Sequence, residues 1–148
     1  MNFGSSFGIS ASALTANRLR MDVISSNVAN AETTRASVVD GKAVPYRRKM
    51  VVLESTEGDS FSNILKSKMG SGDEGVRVKS IVEDPSPLKP VYNPTHPDAD
   101  SDGYVYMPNV DIAKEMVDML SASRSYEANV TMLNATKAMV SKALEIGK

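Results

Sequence analysis

Residues able to do chemistry are few in this chain, and where they cluster they lie among turn formers. Asp98, Asp100 and Asp102 alternate through the stretch Asp98-Ala99-Asp100-Ser101-Asp102-Gly103. That is the spacing with which a calcium-binding loop opens, and Val105 suits its apolar position. The twelfth position, however, is Asn109, where a bidentate Glu is needed. Pro94 and Pro97 also forbid the helix that should enter such a loop. A solvated acidic turn bending at Asp102-Gly103 is the better reading. His96 is the single histidine. As a general base it would need a nucleophile and an orienting group, and its turn-forming neighbours supply neither. Tyr46-Arg47-Arg48-Lys49 is a short basic run that could hold a phosphate. A strand with exposed charges, or an intersubunit salt-bridge patch, is the simpler account. The absence of cysteine excludes disulfides, thiol catalysis and Cys-based zinc sites. No phosphate-cradling Gly loop, catalytic carboxylate pair or metal-ligand cluster remains. Neither an enzyme nor a cofactor is therefore expected.

The elements that position these residues follow from bulk and pattern. A chain of 148 residues with 41% hydrophobic and 24% charged side chains is one globular unit, neither disordered nor membrane-embedded by composition. With 5% aromatic residues and no Trp, any core is thin or aliphatic. A net charge of −1 lacks the basic footprint of a nucleic-acid binder. The longest apolar run, Met50 to Leu53, is too short to span a bilayer, so no direct membrane insertion is expected. No basic flank leads into an apolar stretch after Met1, so no cleavable secretory signal is visible, and an extracytoplasmic location would require another export route.

Three zones follow: a helix over 1–30, a β-rich segment with loops over 31–107, and a long helix over 108–148. In the last zone Ile112, Met116, Met119, Ser123, Tyr126, Val130, Leu133, Lys137, Val140 and Leu144 follow one another at alternating steps of four and three. That is the period of a coiled-coil seam, interrupted at Ser123 and Lys137. Asn109 or Asp111 suits its cap, and Gly147 with Lys148 suits its end. In the first zone Phe7, Leu14, Met21 and Val28 recur every seven residues. Gly8 argues for a late start, with Ser5, Ser6 or Ser10 as cap, and Asn27 and Asn30 suit the exit. Between the helices, Tyr46 to Leu53, Val76 to Val82, Val91-Tyr92 and Tyr104 to Met107 read as strands. Phe61, Ile64, Leu65 and Met69 have helical spacing inside a Ser/Gly-rich stretch, which reads as a short helix or a loose loop. The prolines crowding Pro85 to Pro108 make that stretch an extended strap. The expected fold class is thus α+β, with long terminal helices packing as a coiled coil beside a small β-rich part. One seam does not offset the ordering entropy of so long a helix, and the first stripe covers only about half its length. Either the ends of an intramolecular hairpin fray, or neighbouring subunits complete the helices. The second reading is preferred.

Several stretches resemble a known family. Ala16 to Asn30 (ANRLRMDVISSNVAN) followed by Thr33-Thr34-Arg35 is similar to the amino-terminal motif of bacterial flagellar rod and hook proteins. Pro45 to Lys49, Ile81 to Pro87, His96 to Asp100 and Ser123 to Asn129 within Glu115 to Met139 narrow the resemblance to the proximal-rod branch. The resemblance implies a structural subunit that assembles helically into the rod and transmits torque from rotor to hook. Its implied partners are copies of itself, other rod subunits, the rotor-base and rod-adaptor proteins, and the flagellar type III export apparatus. Its implied location is the extracytoplasmic basal body, reached without a cleaved signal. The assembly residues it implies are Leu14, Met21, Ile24 and Val28 in the first helix and Met116, Met119, Tyr126, Val130 and Leu133 in the last, with Asn27 and Asn30 fixing the helix exit. Arg35 stands where the wider family often has glycine. The alternative from another class is a soluble binding module, a helical hairpin with a weak calcium site at the acidic turn.

Overall fold

The computed structural model describes residues 3–39, 42–56 and 75–146. Helix α1 spans Phe3–Ala29 and helix α2 spans Ile112–Ile146. Among the described residues between them lie six strands: β1 Ser37–Val39, β2 Lys42–Val44, β3 Lys49–Ser55, β4 Val76–Glu83, β5 Lys89–Tyr92 and β6 Tyr104–Met107. They form three separate two-stranded antiparallel ladders, β1 with β2, β3 with β4, and β5 with β6. The architecture is therefore α+β, two long helices carrying small strand pairs. The expected helical spacing of Phe61, Ile64, Leu65 and Met69, and the stop at Gly147 and Lys148, lie outside the described residues.

The two helices make the principal contact in the molecule. At 1.5 Å per residue, the 35 residues of α2 extend roughly 52 Å. Asp111 caps α2 by accepting the backbone N–H of Ala113 at 3.0 Å, and Glu115 supplies the first turn with negative charge, which favours the positive end of the helix dipole. Asn109 does not cap. Its side chain instead accepts the Arg48 N–H at 2.8 Å and donates to Ser86 and Asp84 carbonyls, so it staples the chain before β3 to the turn after β4. The late start expected for α1 is corrected: the helix runs through Gly8 and Ser10 from Phe3. An interior glycine costs a helix about 1 kcal/mol, and packing of the downstream turns against α2 outweighs that local penalty. At its other end Asn30 donates both its backbone N–H, at 3.1 Å, and its side-chain amide, at 2.9 Å, to the Ser26 carbonyl.

The β3–β4 hairpin lies along α1. At one end the Lys49 backbone meets Asn27, and at the other the Val76 N–H meets the Ser12 hydroxyl. The lengths agree: fifteen helical residues and seven strand residues each advance about 22 Å. Gly75 is needed here, since a Cβ would sit 2.9 Å from the Ser12 Oγ. The β5–β6 ladder turns at Gly103, whose φ of 78° and closeness to the Tyr92 ring both select glycine. Tyr92 and Tyr104 pack edge to face at 5.4 Å. The apolar interior is thin: Ala16, Val23 and Ile24 from α1, Tyr46, Val105 and Val110 from the middle, and Ala122 from α2.

Candidate assembly site

Where the end of α1 meets the start of α2, the interior is polar. Glu115 is fully buried and Asn27 is 1% exposed. Asn27 sits two residues before the end of α1, so its amide projects past the last turn toward β3 and α2. Its nitrogen donates to the Lys49 carbonyl and to Glu115 Oε2, both at 2.9 Å. Its oxygen accepts from the Tyr46 hydroxyl at 3.0 Å and the Lys49 N–H at 2.9 Å. Every hydrogen-bonding position of that amide is used. The other oxygen of Glu115 accepts from Arg48 Nε at 2.6 Å. Arg48 also reaches Asp84 and Asp118, each at 3.5 Å. One guanidinium thereby ties α2, the chain entering β3 and the turn after β4. Burial works against the Arg48 charge, but the hydrogen bonds and charges of Glu115 and Asp84 more than offset it and hold its pKa above the ordinary value. The Ser86 hydroxyl and N–H, with Arg48 behind them, hold the Asp84 carboxyl below the usual carboxylate range. The expectation of exposed charges at Tyr46 to Lys49 is corrected for Arg48, whose side chain is 15% exposed because three carboxylates converge on it; Tyr46 beside it is buried as well.

The acidic turn has a similar, smaller use. Asp98 accepts from Thr34 at 2.9 Å and from both Nε and the terminal nitrogen of Arg35. These two partners hold its carboxyl below the usual carboxylate range. Arg35 thus latches the loop after α1 onto the β5–β6 loop. His96 accepts the Asp98 N–H through Nδ1 and so serves the turn. Among the described residues no group of three or more His, Cys, Asp or Glu side chains gathers in a way that could hold a metal ion.

Immediately beside the polar junction lies an apolar groove of about 650 Å³, lined by Ser25 and Val28 of α1 and by Met116, Val117, Met119, Leu120 and Ser123 of α2. Met116, Val117 and Leu120 are 63%, 68% and 58% exposed. The structure therefore brings together Val28, Met116 and Met119 of the residues singled out in the sequence. Ile24 and Asn27 are buried elsewhere, against α2 and β3. Leu14, Met21, Asn30, Tyr126, Val130 and Leu133 are half-buried along the helices. On α2 the most buried positions are Glu115, Ala122 and Thr136, one residue before Met116, Ser123 and Lys137 of the sequence stripe. Sequence reasoning missed Arg48 and Glu115 as partners. The only local signal was a charged residue standing directly beside an apolar heptad position, which in isolation reads as solvent-facing.

Comparison with known proteins follows the same two helices. Residues 7–36 match the family described as flagella basal body rod protein, and residues 101–146 match flagellar basal body rod FlgEFG protein C-terminal. The chain is 63% identical over 146 residues to the flagellar basal-body rod protein FlgC of Bacillus subtilis, covering 97% of each. The chain belongs to the FlgC family of flagellar basal-body rod proteins. FlgC of Borreliella burgdorferi is 45% identical, with 99% of this chain and 98% of the relative covered, and FlgC of Escherichia coli O157:H7 is 44% identical with 96% of each covered. As a FlgC-family member the chain is a structural rod protein of the flagellar basal body, and not an enzyme.

Proposed function

We propose that this FlgC-family chain assembles helically, with copies of itself and with other rod subunits, into the proximal rod that carries torque from rotor to hook. In this reading α1 and α2 form an inner layer completed as a coiled coil by neighbouring subunits. Leu14, Met21, Ile24, Val28, Met116, Met119, Tyr126, Val130 and Leu133 serve that packing, and Asn27 and Asn30 fix the exit toward the strand pairs. The strand pairs form the outer part. The observation that carries the reading is the open groove at Val28, Met116 and Leu120: apolar side chains of a long helix left in water call for a partner surface. The Arg48–Glu115–Asn27 junction supports a mechanical role, because load on the outer strands would reach both helices through short, charge-assisted bonds. The rotor-base and rod-adaptor proteins are further partners, and passage through the flagellar type III export apparatus would place the chain outside the cytoplasm without a cleaved signal.

The test is complementation of a motile host whose own FlgC-family gene is deleted. Wild-type chain restores basal bodies and swimming. Met116→Asp, which puts a charge into the groove while leaving the polar junction intact, restores neither although the protein is made. Normal swimming with Met116→Asp would remove the groove from the assembly surface.

A further inference from the structure

We propose that neighbouring copies of this chain pack through two different faces of α2: the groove between α1 and α2 of one copy receives the back of α2 of the next. The inference rests on the rod-subunit reading above and specifies its self-contact. Helical geometry divides α2 into three columns, each about a third of a turn apart. The inward column, Glu115, Ala122 and Thr136, is buried, and Glu115 meets Asn27 of α1. The groove column begins at Met116 and Ser123, and seven-residue steps extend it to Val130. Across the groove, seven-residue steps from Val28 lead to Met21 and Leu14 on α1. Val28 of the α1 stripe and Met116, Met119 and Ser123 of the α2 stripe therefore line an open groove.

The third column runs down the back of α2: Ser121, Ser125, Ala128, Met132, Ala135 and Met139, at steps of four, three, four, three and four. All six are exposed, with Met132 at 61% and Met139 at 56%. None carries charge, an unusual property for the open side of a helix in water. A ridge of small residues and methionines at this spacing is what a groove between two helices accepts. Charge agrees with the pairing. Glu127, seven residues after Leu120 of the groove, and Lys114, seven before Ser121 of the back, are both exposed, and neither has an ion pair among the described residues. Continuity agrees as well, since Met119 touches the groove from the edge of the intramolecular contact. Because groove and ridge are different surfaces, the contact is head-to-tail and does not close on a two-fold axis. Such contacts generate rings or helical polymers.

The chain's lack of cysteine gives a clean background for disulfide trapping. In the deletion host, Ser123→Cys is co-expressed with Ala128→Cys or Ala135→Cys as separate chains, basal bodies are oxidised, and dimers are read on a non-reducing gel. These near-isosteric changes leave the fold intact. The pairing predicts a several-fold excess of dimer in at least one mixture over every single variant. Assembled, motile basal bodies without mixed dimers would overturn the groove-to-back contact and leave the rod reading standing. Dimers of Ser123→Cys with itself would overturn it in favour of a two-fold contact. Failure of the wild-type chain to form basal bodies would overturn the rod reading, and the pairing with it.

Discussion

Glu115 and Met116 are neighbours on the first turns of α2, and their environments invert their chemistry: the carboxylate is fully buried and the thioether is 63% exposed. The inversion extends to the regions they belong to. Around Glu115 every polar group is paired, and among the described residues no buried side-chain nitrogen or oxygen lacks a partner. Around Met116 the surface is apolar and open. A polar interior gains little stability over a hydrophobic one, but it tolerates few alternative arrangements, because any slip leaves a charge unpaired. Here it fixes where α1, α2 and β3 meet. An apolar surface has the opposite character, being non-directional and accepting whichever matching ridge arrives. The internal contact is thus specified by pairing and the external one is left available for burial.

The largest effect that would break this contrast is Glu115→Ala. It takes from the Arg48 guanidinium its shortest partner and leaves one N–H of the buried Asn27 amide unpaired. We expect a loss of roughly 3 kcal/mol, at the lower end for a broken buried pair because Arg48 keeps some exposure. Urea unfolding followed by circular dichroism measures it. Glu115→Leu with Arg48→Met should recover most of the loss, since replacing both partners by apolar groups removes the pair as a whole. An unchanged midpoint for Glu115→Ala would mean that the junction specifies nothing.

Smaller is the contribution of the exposed ion pairs, and it depends on pH. Arg35 and Thr34 lower the Asp98 pKa in the folded chain below its unfolded value of about 3.9. The sign follows: near and below that value the unfolded chain binds more protons, so the pair stabilises above about pH 4 and its contribution fades as pH falls toward the folded pKa. Arg35 is largely solvated, so salt screens the effect. Thermal midpoints between neutral and acid pH should show a shallower acid limb for Asp98→Asn than for wild type. Parallel limbs would mean that the Arg35 latch does not hold in solution.

Much of the fold was legible in the sequence because helices announce themselves locally. Uninterrupted spacing from Ile112 onward defines α2, and the β-branched and aromatic runs at Val76 and Tyr104 define strands. The β1–β2 pair was not legible, since three-residue strands carry too little pattern to be counted. The polar junction was hidden for a different reason. Asn27 on α1, Arg48 in the chain entering β3 and Glu115 on α2 lie far apart in the sequence, and nothing in the local context of any one of them says that it is buried. The inward face of α2 was displaced by one residue for the same reason: periodicity finds the most apolar column, whereas the column that turns inward here is small and polar.

The smallest expected effect on stability is that of Leu120→Asp, and it sharpens the comparison furthest. Leu120 is 58% exposed on the groove and takes no part in the junction. Substitutions at such surface sites usually stay within about 0.5 kcal/mol. An Asp there also lies far enough into α2 to escape strong interaction with its dipole. Monomer unfolding should therefore match wild type within error while swimming in the complemented host is lost. The two readouts then separate the regions: Glu115→Ala moves the unfolding midpoint, and Leu120→Asp moves only assembly. A midpoint that falls as far for Leu120→Asp as for Glu115→Ala would show that the groove is closed within the monomer, and the division between a specified interior and an available exterior would not hold.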